Sequence, residues 1–455
     1  MRSHPAPARC GRPLSFERLE DRHVLATFTV TNLSDGPVSF PGSAPGTLRQ
    51  AVYDANHTAG ADTIEFAPSL QGTINLSIAD DNSLGLSALL ISSPVTLQGN
   101  TSGITIARNS AVAEMRLFHV TSTGDLTLNS VSVTGGVARG ANGVAASDSG
   151  AEARGGAIYN EGSLRIVAST LYGNQAIGGN GGSAGTGGSG RGGAIYSNSG
   201  SSLVLTDATL SGNVAQSGSG AHSPSSFGGA MYVLNGSLGV YNSTITNGTA
   251  STGRGIYLIA QNGSATADIW SSIIAQNDAP IQARDFLTSI DEGQLTVTGG
   301  NNLIRTQGDY QFITVSTDDP LLGPLGNNGG PTMTHALVAD SPARDLGSNP
   351  QSLAVDQRGG SYARVIGGKA DIGAFELQTS VSPSLPGDYS GNNVVDAADY
   401  VLWRKTLGSN VSTYSGSDGN GNGAVDVGDY GVWRSNFGSK TAAGAQLSAP
   451  TSSSP

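Results

Sequence analysis

Residues 154–160 read RGGAIYN, 191–197 read RGGAIYS, 227–233 read FGGAMYV and 253–259 read GRGIYLI. Tyr159, Tyr196, Tyr232 and Tyr257 line up across the four phrases, the last of them one residue shorter before its tyrosine. A second phrase alternates with the first. It begins at 130 (SVSVTGG), 169 (STLYGNQA), 208 (ATLSGNVA), 243 (STITNGTA) and 271 (SSIIAQND), so the spacing runs 39, 39, 35 and 28. Repetition at this scale marks a solenoid or a propeller. The shrinking period favours the solenoid. Glycine-rich connections are lost from copy to copy while the short Ile/Val/Leu/Thr strings persist. A stacked coil tolerates this, because each coil contacts only its neighbours. Propeller blades need about four strands per 40–50 residues and their own signatures, which are absent. Asn174, Asn213, Asn247 and Asn277 recur at the turns. There asparagines can stack as ladders and glycines take left-handed angles.

Working outward, the glycine-rich inserts 135–153, 178–190 and 216–226 all fall between the two phrases. They are expected to protrude from one side and to form any binding surface there. Upstream, TFTVTNLS (27–34) alternates as a strand, and DTIEF (62–66) is another. Between them, TLRQAVYDAN places Leu48, Ala51, Val52 and Ala55 on one helical face. A helix ahead of a β array suits a cap that shields the first coil from edge pairing.

Composition agrees with an all-β chain rich in turns. Of 455 residues 66 are glycine, 13% are charged and 37% are hydrophobic. The net charge of −11 without basic clusters argues against nucleic acid and anionic membranes and suits cations. Cys10 is the one cysteine, so the body has no internal disulfide. The six histidines are scattered without zinc-ligand spacing. No run approaches the ~18–20 apolar residues of a membrane span.

The strongest chemical signal lies at 388–438. Asp388, Ser390, Asn392, the Val394 carbonyl, Asp396 and Asp399 occupy positions 1, 3, 5, 7, 9 and 12 of one loop. Asp418, Asn420, Asn422, the Ala424 carbonyl, Asp426 and Asp429 repeat the pattern 30 residues later. Such an oxygen set suits calcium, one ion per loop. Gly423 stands at the sharp turn of the second loop and Asn393 at that of the first. Asparagine also tolerates the left-handed region. Three carboxylates drawn together in each loop would repel one another without a cation, so metal should order the segment. Tyr400, Trp403 and Leu407, then Tyr430, Trp433 and Phe437, carry helical spacing after each loop. Position 12 is Asp, and no clear helix precedes either loop. The pattern resembles the dockerin type I module. That likeness implies two Ca2+ ions and a cohesin-like protein partner met through the helices. Purely structural calcium sites, or Asx-rich turns, are the other reading, and both tryptophans read as core.

Two further resemblances concern the rest of the chain. FTVTNLSD, GTLRQAVYDAN and ADTIEF at the start, with GPLGNNGGPTMTHALVADSPARDLG, DQRG and ADIGAFE at 323–376, look like the end segments of the choice-of-anchor Q group of bacterial surface β-helix proteins. This likeness implies export and surface display and assigns no catalysis. LSFERLEDRHVLA (14–26) resembles the LEPR-XLL segment of planctomycete exported proteins, with Asp21 in place of that segment's proline.

The expected organisation is therefore a leader over 1–26, a right-handed parallel β-helix of the pectin lyase-like kind over 27–376, a linker over 377–386, a small α-helical calcium-binding dockerin-like domain over 387–438, and a disordered tail. The expected role is an extracellular or cell-surface scaffold or adhesion protein, with a carbohydrate as one candidate ligand. The competing role is a polysaccharide lyase or glycoside hydrolase. It would need carboxylates and bases converging on one solenoid face, and the charged residues available are Glu152, Arg154, Arg165, Arg191, Asp207, Arg254 and Asp268. GGSAG (181–185) and GTGGSG (185–190) match hydrolase and nucleotide motifs by spelling alone, since neither adjoins a strand-to-helix turn.

Overall fold

The computed structural model describes residues 25–275, 284–306, 313–378, 385–390, 392, 394–411 and 416–440. The leader to residue 24, Asn277, Asn393, most of the linker and the tail after Lys440 lie outside the described residues.

One coil shows the plan. Arg116–Val120, Asp125–Asn129 and Val131–Thr134 are three consecutive short strands, and each joins a different sheet. Sheet I runs through nine strands from Thr27–Val30 to Gln294–Gly300. Sheet II runs through nine from Gly72–Leu76 to Thr314–Ser316, and sheet III through seven from Ser87–Ile91 to Phe286–Asp291. Neighbouring strands within each pair in parallel, as stacked coils require. The chain is thus all-β over this length, a β-helix-like stack.

Register puts like on like. Leu126, Leu164, Leu203 and Leu238 form one interior column, continued by Ala267, and Leu128, Ile166, Leu205, Val240 and Ile269 form another. All are buried. On the other side of sheet III, Tyr159, Tyr196, Tyr232 and Tyr257 pair in register. Their rings stack with centroids 5.2, 5.2 and 5.3 Å apart, a geometry that adds about 0.5–1.5 kcal/mol per pair beyond burial.

The chain turns from sheet I to sheet II at a single left-handed residue on successive coils. Ser130, Ala168, Asp207, Asn242, Ser271 and Asn301 have φ between 45° and 57°. The N–H groups of Ser130, Ala168, Asp207, Asn242 and Ser271 each donate to a carbonyl of the next coil, so the costly angle is held by pairing. Polar side chains beside the corner form a second ladder. Ser169, Ser243 and Ser272 Oγ accept from the N–H groups of Val131, Ala208 and Ser243, and Asn302 Oδ1 accepts from Ser272.

The expected asparagine ladder is shorter than the sequence suggested. Asn174 and Asn213 are fully buried and bonded to each other. Asn247 instead takes the left-handed position that Gly173 and Gly212 hold in preceding coils, with φ of 55° against 62° and 62°. Gly and Asn have exchanged places in that copy.

The helix α1 spans Leu48–Asn56, with Thr47 as its N-cap. Leu48, Ala51, Val52 and Ala55 are buried in the main core, as the sequence predicts for a cap. The glycine-rich inserts do lie to one side, but they are not free loops. Val137–Arg139, Gln175–Ile177 and Val214–Gln216 form a parallel sheet of their own, and the glycines beyond pair backbone to backbone. A Cβ on Gly179 would lie 2.0 Å from the Ala141 carbonyl oxygen, and one on Gly218 1.9 Å from that of Gly179. Glycine is required there by proximity.

Residues 320–378 return across the outside of sheet II as a strap. Thr170 donates to the Met333 carbonyl, Thr209 to Gln357, and Thr244 accepts from the Ala374 N–H. Corner residues meet it too: Asp207 pairs with Arg364, Asn242 and Ser271 with Ser348, and Asn301 with Leu346. The phrases PTMTHAL, DQRG and ADIGAFE are the docking contacts of this strap. Beneath it Arg364, with no exposure, is shared by Asp207 and Glu376, while Arg358 binds Asp356 and Asp371 takes backbone N–H groups.

Two expectations follow from this packing. Four buried carboxylates face two buried guanidiniums, and burial pushes Asp207 and Glu376 up to about 7. Their folded affinity for protons exceeds the unfolded one, so their contribution to stability is full below about pH 4 and lost as pH rises through 7. The thermal midpoint should be higher at pH 5.5 than at pH 8.5, and Asp207→Asn should flatten that difference. Separately, Gly179→Ala must push the arms apart and should lower stability by about 1–3 kcal/mol. Urea unfolding, with proteolysis mapped to the 140–151 arm, reads this.

Candidate metal centre

The two loops fold alike. Asp399 and Asp429, each at position 12, are fully buried and close their loops from below. Asp399 accepts from the Ser390 and Asp396 N–H groups at 2.7 and 2.8 Å. Asp429 accepts from those of Asn420 and Asp426 at 3.0 and 2.7 Å. Asp388 and Asp418, at position 1, are also buried and turn their oxygens inward to the N–H groups of residues 392 and 421–423. Asn392 and Asn422 Oδ1 accept from the N–H of Val394 and Ala424, tightening the turn.

The third carboxylate has another role. Asp396 and Asp426 are the N-caps of α2 (Ala397–Thr406) and α3 (Val427–Asn436), each in a reciprocal capping box with the position-12 aspartate. The Asn422 amide and the Gly428 N–H hold the Asp426 carboxyl below its ordinary range. The sequence suggested three carboxylates gathered together. Among the described residues no three Asp, Glu, His or Cys groups converge on one point. Backbone N–H groups hold the carboxylates within each loop, and the capping boxes link Asp396 to Asp399 and Asp426 to Asp429.

The segment has little core. Its buried apolar side chains among the described residues are Val395, Trp403 and Val425. Trp403 Nε1 donates to the Asp426 carbonyl and Trp433 Nε1 to that of Asp396, each helix reaching the other's cap. Tyr400, Tyr430 and the two tryptophans pack with centroids 5.1–6.1 Å apart. The loops are also exchanged. Val395 pairs with Gly438 and Ser439, after the second helix, and Val425 with Gly408 and Ser409, after the first. Tyr389 reinforces the swap by donating to the Asp429 carbonyl at 2.6 Å.

The donor set suits a hard cation. Every side-chain donor is oxygen, from Asp, Ser or Asn, with backbone carbonyls at Val394 and Ala424. Asp399 and Asp429 have no cationic partner among the described residues, although fully buried. Buried carboxylates without counter-charge are costly, and a divalent ion would supply that charge.

The charged residues of the solenoid separate into distinct settings. Glu152 binds Arg154 and Arg191 together, and the in-register place of those arginines passes to Phe227 and Thr252. Arg165 pairs with Asp125 on sheet I. Asp207 lies under the strap with Arg364. Asp268 is held by the Tyr241 hydroxyl, the Trp270 indole and the Thr298 hydroxyl. Arg254 Nε is buried without a hydrogen-bond partner among the described residues. The GGSAG and GTGGSG stretches lie in the packed arms, remote from any helix in sequence. Sequence reasoning passed over Glu114, Arg116 and Arg139, which no repeated phrase marks.

No helix among the described residues is long and apolar enough to cross a membrane. No protein-family model matches the chain, and no curated protein or solved structure is significantly similar to it.

Proposed function

We propose that the chain is a non-catalytic scaffold or adhesion protein, acting outside the cell or on its surface, whose β-helix is attached through a calcium-ordered docking segment. The single observation carrying the calcium part is the pair of fully buried aspartates, Asp399 and Asp429, that close two duplicate loops without a cationic partner among the described residues. Asp388, Ser390, Asn392, Val394, Asp396 and Asp399 would hold one ion. Asp418, Asn420, Asn422, Ala424, Asp426 and Asp429 would hold the other. Each ion would supply the charge and cross-linking that three buried apolar side chains cannot provide.

The dockerin-like reading extends this to a cohesin-like protein partner. Val401, Leu407, Val427 and Phe437 support it, since they leave apolar area exposed on so small a segment. Right-handed winding of the solenoid is the form that parallel crossovers favour.

The enzymatic alternative has less support. Glu114 is ion-paired to Arg139, which holds its carboxyl below the usual range, and Glu152 bridges two arginines. A carboxyl held down as that of Glu114 is makes a poor general acid near neutral pH. Screening the protein on acidic and neutral polysaccharides should yield no unsaturated or reducing-end products.

Calorimetric titration of the whole protein with calcium tests the main reading. Two ions should bind, with a change in tryptophan fluorescence, since Trp403 and Trp433 span both caps. Asp429→Asn should weaken the second site by about 100-fold, as loss of ligand charge does in such loops. A chain that takes up no calcium, with fluorescence unmoved, removes the proposal.

A further inference from the structure

A cavity of about 430 Å3 lies between the strap and the corner at which sheet I turns into sheet II. Asn129, Val167, Ala168 and Asp207 line it from successive coils, and Leu353 and Val355 from the strap. The corner residues account for its position. From Asp207 onward they bond to the strap through their side chains. In the two coils before, Ser130 turns its hydroxyl to Asn129, and Ala168 has none to offer. The strap stands off there. The shape of the gap is set, since Gln357 ties this part of the strap to Thr170 and Thr209 of sheet II.

Charge is unbalanced at one end of this cavity. Asp356 is closed off by Arg358, whose guanidinium is also held by the Asn328 and Glu376 carbonyls and by the Tyr362 and Phe375 rings. Asp371 and Glu376 have donors on both carboxylate oxygens. Asp207 differs. It is 4% exposed, its Oδ1 accepts from Arg364 at 3.1 Å, and its Oδ2 has no donor among the described residues. Arg364 is shared with Glu376, so two carboxylates face one guanidinium. A negative charge is left over beside the half-buried apolar side chains of Val167, Leu353 and Val355. Such a charge is costly without a partner.

We propose that this cavity is a binding site for a small organic amine, its ammonium group set against Asp207 Oδ2 and its apolar body laid along Val167, Leu353 and Val355. An ammonium supplies both the missing donor and the missing charge through one point contact. A guanidinium ligand would need two open oxygens on one carboxylate, and one is open. A calcium ion would need six to eight oxygens and would meet an apolar wall instead. An anion would add to the excess charge, since Arg358 and Arg364 are already engaged. The volume falls within the range of about 300–1,000 Å3 of small-ligand pockets. Arg364, Glu376 and Asp356 face Asp207, and burial pushes its carboxyl up to about 7. The amine should therefore bind best above that pH, where the carboxyl is ionised and an alkylammonium is still charged. The site shares no residue with the calcium loops and does not depend on the role proposed above.

The test is calorimetry or ligand-observed NMR on the full chain, in excess chelator, with phenethylamine, phenethyl alcohol and hydrocinnamate. At pH 8.5 phenethylamine should bind at least about tenfold tighter than the alcohol of the same shape, equivalent to about 1.4 kcal/mol, and the acid should bind more weakly still. The preference for amine over alcohol should shrink by pH 5.5. Asp207→Asn should bring amine and alcohol to equal affinity, while Leu353→Ala should weaken both. A thermal midpoint for Asp207→Asn near that of the unaltered chain at pH 5.5 would show that it folds. The three ligands and their pH dependence on the unaltered chain decide the matter even without that variant. No binding of phenethylamine, equal affinity for amine and alcohol at pH 8.5, tighter binding of the acid, or a preference for the amine that persists in Asp207→Asn would each overturn the proposal.

Discussion

The solenoid depends on one local constraint, the single left-handed residue that turns sheet I into sheet II. Ser130, Ala168, Asp207, Asn242, Ser271 and Asn301 hold φ values that cost a non-glycine residue about 1–2 kcal/mol. A corner this sharp lets strands of three to seven residues enclose a column of aliphatic side chains without a loop between them. The penalty is met collectively. Most corner N–H groups are paired to the next coil, and serine or asparagine oxygens beside the corner take the neighbouring N–H groups. Corner and ladder thus require one another. An isolated coil would have the strain without the partner.

The same geometry dictates what faces outward. With aliphatic residues inside, sheet III presents its tyrosine stack, and arginines lie against it. Arg116 lies over Tyr159, Arg154 over Tyr196 and Arg191 over Tyr232, at 5.3–5.4 Å from the ring centroids. Cations are thus concentrated along one edge of a chain whose net charge is −11. The corners present Asp207 and Asn242 instead, and those are consumed by the strap.

Much of this was legible in the chain itself, where periodicity carried the information. The tyrosine phrase predicts in-register pairing, and Leu48, Ala51, Val52 and Ala55 predict the buried face of the cap. The 30-residue echo between Asp399 and Asp429 predicts two equivalent loops, and they are folded alike. Features that depend on contacts between dissimilar segments were hidden. The arms read as inserts protruding from one side, and their pairing was hidden because glycine is ambiguous between flexibility and close approach. Arg116 lies in a coil before the tyrosine phrase begins. The reciprocal capping boxes of Asp396 with Asp399 and of Asp426 with Asp429 were hidden behind the ligand spacing that the same residues share.

The strap changes the thermodynamic character of the stack. A linear array of coils responds to its nearest neighbours alone and can fray from either end. Here Thr170 meets Met333 and Gln357 across 163 and 187 residues, and Asp207 meets Arg364 across 157. Such distant closures are slow to form, since the loop must be closed before the contact rewards it. Once made, they bind early coils to late ones, so that loss of one terminal coil is resisted by the whole length. The rod therefore acquires the cooperativity of a closed globule.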